Sequence, residues 1–166
     1  GFYDPPTSLL SPKDSHGNVS AAYTFAGQAV EVEVDTETGQ VDVVNASVAH
    51  DIGKIINPVG LEGQIEGGAV MGLGYALFEE SELEEGRVIN PTFADYHLPT
   101  SLDAPPLQIQ MVETDDPEGP FGAKGIGECA AIALAPAIAN AIYDAVGVRI
   151  YSLPMTPEKV YRAIIN

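Results

Sequence analysis

Cysteine, histidine and positive charge are all scarce in this 166-residue chain. The single cysteine, Cys129, excludes an internal disulfide, and the chain alone could not hold an iron–sulfur cluster. The 7 Lys and Arg residues stand against 24 Asp and Glu, which gives a net charge of −17. Because such a surface repels phosphate backbones, we expect no nucleic-acid partner. The histidines His16, His50 and His97 lack the spacing of metal ligands, so no metal-ligand set is predicted.

Long apolar runs are missing as well. No run approaches the roughly 18 residues of a membrane-spanning helix, and an acidic exterior is not attracted to anionic membranes. We therefore expect no membrane partner and a cytoplasmic location. Hydrophobic residues make up 45% of the chain, which predicts a folded core rather than disorder. We expect one domain over residues 1–166, with residues 1–20 as an irregular arm rich in Pro, Ser, Gly and Asp.

Strand patterns dominate the first third of the sequence. Residues 21–34 and 41–48 are β-rich on either side of a turn at 35–39, which predicts an antiparallel hairpin with one wet face. Residues 107–112 alternate and predict another strand. Because helix patterns follow these strands, the predicted fold class is α+β, with antiparallel strands packed against helices.

Helix patterns follow at residues 59–80 and 129–146, with Pro136 breaking or restarting the second helix and Gly147 as its C-cap. A last short helix begins at Thr156. The first helix has an apolar residue every four positions, namely Leu61, Ile65, Ala69, Leu73 and Leu77. Beyond its first turn it also holds five glycines, namely Gly63, Gly67, Gly68, Gly72 and Gly74. Each costs roughly 1 kcal/mol relative to Ala, so we expect a neighbour or ligand to pack closely on this helix.

Residues 119–128, with the sequence GPFGAKGIGE, are the most informative segment. Backbone rich in glycine can approach a bulky anionic ligand closely, and Glu128 could then act as a base or ligand at its edge. The structural alternative for Glu128 is an acid that favours a helix N-terminus. For Lys124 the alternatives are a solvated loop lysine and a cation beside a phosphate or polarised cofactor group. The spacing fits neither a P-loop nor a dinucleotide-binding fingerprint.

Four further polar residues have a structural interpretation, and two of them, Gln64 and Cys129, also have a functional alternative. Gln64 is either a surface residue of the helix or an amide that hydrogen-bonds a heterocycle. Asp51 and Asn57 have the chemistry of turn residues, because both can bond their own backbone. Cys129 has no histidine near it in sequence and is interpreted as a small, buried apolar residue rather than a nucleophile.

The order of several motifs resembles the C-terminal part of the molybdenum hydroxylases, the group of xanthine dehydrogenase, aldehyde oxidase and carbon monoxide dehydrogenase. The matching stretches are DIGKIINP at 51–58, EGQIEGG with GLG within 62–74, GAKGIGE at 122–128, APAIANAI at 135–142 and LPMTPEKV at 153–160. Each stretch alone is a weak signal, but their order and spacing together are specific.

The resemblance implies a role for each matching residue. Glu128 would stand beside the molybdenum as the base, and Gln64 would contact the molybdopterin cofactor. The loop backbone of Ala123, Lys124, Gly125, Ile126 and Gly127 would line that cofactor. The implied reaction is oxidative hydroxylation of an N-heterocycle, such as a purine- or nicotinate-like compound, or of an aldehyde, with water as the oxygen source.

The resemblance also implies partners. The family's other cofactor segments do not occur in this chain, so we expect a larger molybdopterin-binding chain to supply them. Electrons would leave through a subunit with 2Fe–2S clusters, often to a flavin subunit with FAD. Without these partners we expect the chain to be inactive. The alternative is a non-catalytic assembly or binding subunit that keeps the fold, although such a subunit would not need Glu128.

Overall fold

A computed structural model describes residues 1–2 and 4–166. Residues 1–2 and 4–25 contain no helix or strand, and the main-chain N–H of Ser8 donates to the Asn18 carbonyl at 2.6 Å within this segment. The elements that follow are, in chain order, β1 (Ala26–Val34), β2 (Val41–Gly53), α1 (Pro58–Leu77), β3 (Leu83–Glu84), β4 (Arg87–Val88), β5 (Leu107–Glu113), a 3-10 turn (Pro120–Gly122), α2 (Cys129–Ile132), α3 (Leu134–Val146) and α4 (Pro157–Ile165).

The main sheet has the strand order β1-β2-β5. β1 and β2 form the predicted antiparallel hairpin, and a separate small hairpin pairs β3 with β4. β5 is parallel to β2, from Ala46 opposite Leu107 to Gly53 opposite Glu113. The α+β class is confirmed, whereas the parallel pairing was not predicted. This pairing also extends β2 to Gly53, beyond the strand predicted over residues 41–48.

The helices cover one face of the sheet. All five residues of the predicted apolar stripe on α1 are buried, with Ile65 and Leu73 at 0% and 1% exposure. α3 packs on both α1 and β1 through Leu134, Ile138 and Ile142. α1 begins where Asn57 Oδ1 accepts a hydrogen bond from the Gly60 N–H at 3.1 Å, which confirms the turn chemistry expected of that residue.

The predicted helix over 129–146 divides into α2 and α3 at Ala133. Pro136 therefore lies in the first turn of α3, where its missing N–H removes no intrahelical hydrogen bond. Gly147 ends α3 in a left-handed conformation, with φ of 75°, and its N–H donates to the Tyr143 carbonyl. Thr156 caps α4 by accepting a hydrogen bond from the Lys159 N–H. The predicted caps are thus confirmed.

One segment corrects the expectation about apolar runs. Within the part of the chain that the structure describes, the 18 residues Cys129–Val146 are long and apolar enough to cross a membrane, with a mean hydropathy of 1.6. The run is easy to overlook because Asn140 and Asp144 interrupt it while its average hydropathy stays high. Core helices also satisfy this criterion, and this segment packs on α1 and β1, so it is weak evidence for a membrane span.

Candidate cofactor site

The glycine-rich loop crosses the carboxyl end of β2 at very short range. Gly53, at the end of β2, has φ of 65°, and a Cβ there would collide with the Gly122 carbonyl oxygen. Gly122 has φ of 81°, and a Cβ there would collide with the Asp115 carboxylate. The Lys124 N–H then donates to the Ile52 carbonyl at 2.9 Å. Both glycines are needed because they let two backbone segments approach in a left-handed conformation.

The Lys124 side chain is neither solvated nor open to a ligand in this structure. Its ammonium nitrogen lies 2.6 Å from Asp51 Oδ2 and 3.8 Å from Asp116 Oδ2. It also donates to the Tyr23 carbonyl at 2.9 Å and lies 5.8 Å from the centre of the Phe25 ring. The side chains of Lys124 and Asp51 are 8% and 10% exposed, so this is a buried ion pair.

Asp51 is held in its charged form. Its Oδ1 accepts hydrogen bonds from Thr114 Oγ1 at 2.6 Å and from the Gly53 N–H at 3.1 Å, while Oδ2 faces Lys124. The Lys124 hydrogen bond and then the Thr114 hydrogen bond lower the pKa of Asp51 to about 2, from an ordinary value of 3.8. Turn chemistry was expected of Asp51, and the Gly53 contact bears that out, but the ion pair was missed.

This lowered pKa gives a test of acid stability. A carboxyl with a lower pKa in the folded state stabilises the fold above its unfolded pKa, and that contribution is lost as the pH falls through the folded value. The Asp51→Asn variant should therefore be less stable than wild type by a constant amount above about pH 4. The difference should shrink as the pH falls towards about 2. Urea unfolding between pH 2 and 6 measures it.

The control for this test is the same substitution in a Lys124→Met background. There the ion pair is already gone, so Asp51→Asn should show much less pH dependence. A difference between wild type and Asp51→Asn that grows on acidification would contradict the pairing.

An open pocket of about 380 Å³ lies where the loop, β2 and the start of α1 meet. Its lining includes most of the predicted cofactor-binding residues, namely Gln64, Ala123, Lys124, Ile126 and Gly127. Sequence reasoning did not assign the other lining residues, which are Ile52, Lys54, Ile56, Asn57, Gly60 and Leu61. Gly125 does not line the pocket, and the Gly125 carbonyl accepts a hydrogen bond from Thr24 Oγ1 at 3.2 Å.

The start of α1 gives this pocket a positive end. The 20-residue helix has no acidic residue in its first turn, so no side chain there offsets the partial positive charge of its N-terminus. Lys54 lines the pocket too, but its ammonium group lies 3.1 Å from Glu113 Oε1. In a chain of net charge −17, the backbone thus supplies a local preference for an anionic group.

Gln64 fixes the segment that precedes Glu128. Its Nε2 donates to the Gly127 carbonyl at 2.8 Å, across 63 positions of sequence. Gln64 is exposed, so its amide oxygen remains accessible to a ligand at the pocket edge. The Gln64 side chain therefore joins α1 to the loop. It is an exposed residue of the helix, as one interpretation had it, and its amide oxygen is available to a ligand, as the other required.

Glu128 stands at the start of α2 without the capping role that an acid there often has. Its side chain makes no capping hydrogen bond, the residue is exposed, and its carboxylate makes no hydrogen bond or ion pair within residues 1–2 and 4–166. Its carbonyl accepts from the Ala131 N–H at 3.0 Å. The Glu128 backbone is thus hydrogen-bonded, whereas its carboxylate is unpaired.

Burial raises the pKa of the neighbouring Cys129 thiol. A raised pKa disfavours the thiolate, which agrees with the interpretation of Cys129 as a structural cysteine.

Four glycines of α1 fall into two groups. A Cβ at Gly68 would lie 2.5 Å from Ala130 Cβ, and one at Gly72 would lie 2.7 Å from the Ala131 carbonyl oxygen. These glycines let α2 pack directly on α1. In contrast, a Cβ at Gly63 or Gly67 would meet nothing within 4 Å. The close packing expected on this helix therefore accounts for one group, and the other leaves bare backbone facing outwards.

Comparison with known proteins gives this geometry a context. The family model of the molybdopterin cofactor-binding domain matches residues 1–105. The chain is 39% identical over 163 residues to the putative xanthine dehydrogenase molybdenum-binding subunit of Escherichia coli, covering 96% of this chain and 22% of that protein. It is 41% identical over 145 residues to the nicotine 6-hydroxylase large subunit of Paenarthrobacter nicotinovorans, covering 85% of this chain and 18% of that protein.

Solved structures agree with the sequence matches. The aldehyde oxidoreductase from Desulfovibrio gigas matches with a TM-score of 0.89 and 34% identity, over 96% of this chain and 17% of that one. The chain thus spans less than a quarter of the length of these relatives. The family match covers more than half of the chain, and the fold agrees with it. The chain belongs to the molybdopterin cofactor-binding domain family of the molybdenum hydroxylases.

Proposed function

We propose that this chain forms one wall of the cofactor site of a molybdenum hydroxylase and supplies Glu128 as its base. The observation that carries the proposal is the meeting of two distant segments at one pocket. Gln64 of α1 is bonded to Gly127 of the loop, and Glu128 follows directly with an unpaired carboxylate. An exposed acid beside a pocket that the glycine-rich loop helps to line is the arrangement that a base at a bound cofactor requires.

The residues present fit a molybdopterin. Gly125 and Gly127 of the loop, like Gly63 and Gly67 of α1, have open space where a Cβ would stand. A flat, bulky ligand could therefore contact the main chain directly. The α1 N-terminus favours an anionic group, and the Gln64 amide oxygen offers an acceptor to a heterocycle N–H.

When bound, the molybdenum cofactor supplies the redox chemistry of the hydroxylation, and this chain contributes position and charge. Glu128 accepts the proton that is released as water provides the oxygen nucleophile. Its carboxylate can do so because nothing within the described part of the chain holds it. The loop backbone keeps that carboxylate at one place, since Gln64 and Lys124 both fix the segment that precedes it.

The proposed enzyme extends beyond this chain. Several large apolar side chains are almost fully exposed, including Leu102 at 94%, Phe121 at 90% and Tyr151 at 93%. Such side chains are typical of surfaces that other parts of a protein cover. We propose that a larger molybdopterin-binding portion covers them, with iron–sulfur and flavin partners that carry electrons away. The substrate would be an N-heterocycle or an aldehyde, and the chain would be inactive without these partners.

Cofactor content in the assembled enzyme tests the proposal. We expect wild-type enzyme to contain molybdenum and pterin, and the Gln64→Ala variant to contain clearly less, because the loop loses its bond to α1 and the cofactor loses an amide contact. Molybdenum is measured by mass spectrometry of the metal, and the pterin by fluorescence after oxidation.

Glu62→Ala is the matched control, since Glu62 is exposed on a different face of the same helix. It should keep its molybdenum. Unchanged occupancy in Gln64→Ala would remove Gln64 from the site. A stable complex of wild-type chains without molybdenum would favour the non-catalytic assembly subunit instead.

A further inference from the structure

We propose that the buried pair of Lys124 and Asp51 is a latch that positions the glycine-rich loop, and Glu128 with it. In this account Lys124 is a positioning residue, and its side chain does not contact the cofactor. The inference rests on the proposed function of Glu128. It assigns the only lysine of the GAKGIGE motif an internal partner instead of an external anion.

The geometry leaves the Lys124 ammonium no free direction towards the pocket. Asp51 at 2.6 Å, Asp116 at 3.8 Å and the Tyr23 carbonyl at 2.9 Å surround it, and the Phe25 ring lies beside it. Its side chain is more than nine-tenths buried. Although Lys124 lines the pocket, its ammonium charge is already neutralised by Asp51. A phosphate would have to displace the Asp51 carboxylate to reach that ammonium group.

The latch also has the right place in the chain to act on Glu128. Lys124 is fixed to the end of β2 twice, by its N–H on the Ile52 carbonyl and by its side chain on Asp51. Glu128 follows four residues later. Three further side chains contact residues 125–130, each by a single hydrogen bond from a neutral group to a main-chain oxygen. They run from Thr24 to Gly125, from Gln64 to Gly127 and from Gln28 to Ala130.

A buried charge without its partner is costly, so loss of either member should move the loop rather than leave it in place. Asp51 could then turn to solvent, and the Ile52 contact of the loop would weaken. Because a displacement of about 1 Å at a catalytic group can cost on the order of 100-fold in rate, a small shift of Glu128 would be visible in turnover.

The experiment compares Lys124→Met, Asp51→Asn and the double variant in the assembled enzyme. We expect each single variant to lower kcat by about 10- to 100-fold, with KM and molybdenum content nearly unchanged. The double variant should be no slower than the slower single variant, because both act through one interaction. Lys159→Met is the control, since Lys159 pairs with Glu80 at 3.5 Å outside the site.

Two results would overturn the latch. The first is a loss of molybdenum in Lys124→Met that Asp51→Asn does not share, because this pattern means that Lys124 contacts the cofactor. The second is a kcat in both single variants that stays within about twofold of wild type, which means that the pair does not position the base.

Thr114→Val provides a milder variant if a charge deletion prevents folding. It keeps the pair but removes the 2.6 Å bond from Thr114 to Asp51, and kcat should fall in the same direction by about threefold to fivefold. An unchanged kcat in Thr114→Val would count against the latch.

Amide hydrogen exchange over residues 119–128 tests the latch independently of the molybdenum content of the enzyme. Exchange there should be at least about tenfold faster in each variant than in wild type. Unchanged exchange would overturn the latch even if the cofactor proposal holds. Faster exchange in an enzyme that lacks molybdenum would leave the latch intact and refute the cofactor proposal.

Discussion

Replacing Glu128 with Gln should lower turnover by about 100- to 10,000-fold, the range typical for loss of a general base. Gln has nearly the same shape as Glu, but at neutral pH its amide cannot accept the proton that a carboxylate takes. The Glu128 side chain makes no capping bond and no other hydrogen bond or ion pair in the part of the chain that the structure describes. The substitution should therefore leave the fold, the assembly and the molybdenum content unchanged.

Steady-state kinetics and metal analysis on the same preparation check this prediction. Glu118→Gln is a useful control, because it is an acid-to-amide change in the same loop, ten positions before Glu128. It should retain most of the activity. Near-normal turnover in the Glu128→Gln enzyme would rule out the assigned role, and a loss of molybdenum would make Glu128 a binding residue instead.

Two neighbouring glycines of α1 should respond in opposite ways to alanine. At Gly68 a Cβ would lie 2.5 Å from Ala130 Cβ, which cannot rotate away, so α1 and α2 must separate. We expect the overpacking, which costs about 1–3 kcal/mol, to exceed the gain in helix propensity. At Gly67 nothing lies within 4 Å of the added Cβ, so Gly67→Ala should stabilise the helix by about 1 kcal/mol.

Thermal unfolding compares the two variants, and a change of 1 kcal/mol corresponds to about 2–4 °C in a domain of this size. Gly67→Ala should also reduce cofactor content if its bare backbone faces the pterin, even though the fold becomes more stable. Lower stability in Gly67→Ala would contradict the open face described here. Higher stability in Gly68→Ala would contradict the tight contact of α1 with α2.

The local features of the fold could be predicted from the sequence because their signals are local. The spacing of Leu61, Ile65 and Leu73 defines a buried stripe, and Thr156 before a proline defines a helix start. The direction of β5 could not be predicted, because alternation shows which face of a strand is buried and not the direction of the neighbouring strand. The choice depends on the long connection from Gly53 to Leu107, which carries no simple signal.

The candidate site also has some features that could be predicted from the sequence and others that could not. Its residue types are evident in the sequence, since glycine, an acid and an amide in these motifs suggest backbone contact with a ligand. The latch is not evident in the sequence, because Asp51 and Lys124 lie 73 positions apart and each residue has an ordinary local explanation. Nor does sequence distinguish Gly67 from Gly68. Only the position of α2 makes one glycine structural and leaves the other exposed.

The most direct test is the structure of the assembled enzyme with its molybdenum cofactor bound. We predict that a Glu128 carboxylate oxygen lies within hydrogen-bonding reach of an oxygen ligand of the molybdenum, about 2.6–3.2 Å. We also predict that the backbone at Gly63, Gly67, Gly125 and Gly127 faces the pterin or its immediate surroundings. A structure in which Glu128 is remote from the molybdenum, or in which these glycines face bulk solvent, would contradict the proposal that this chain supplies the base and one wall of the cofactor site.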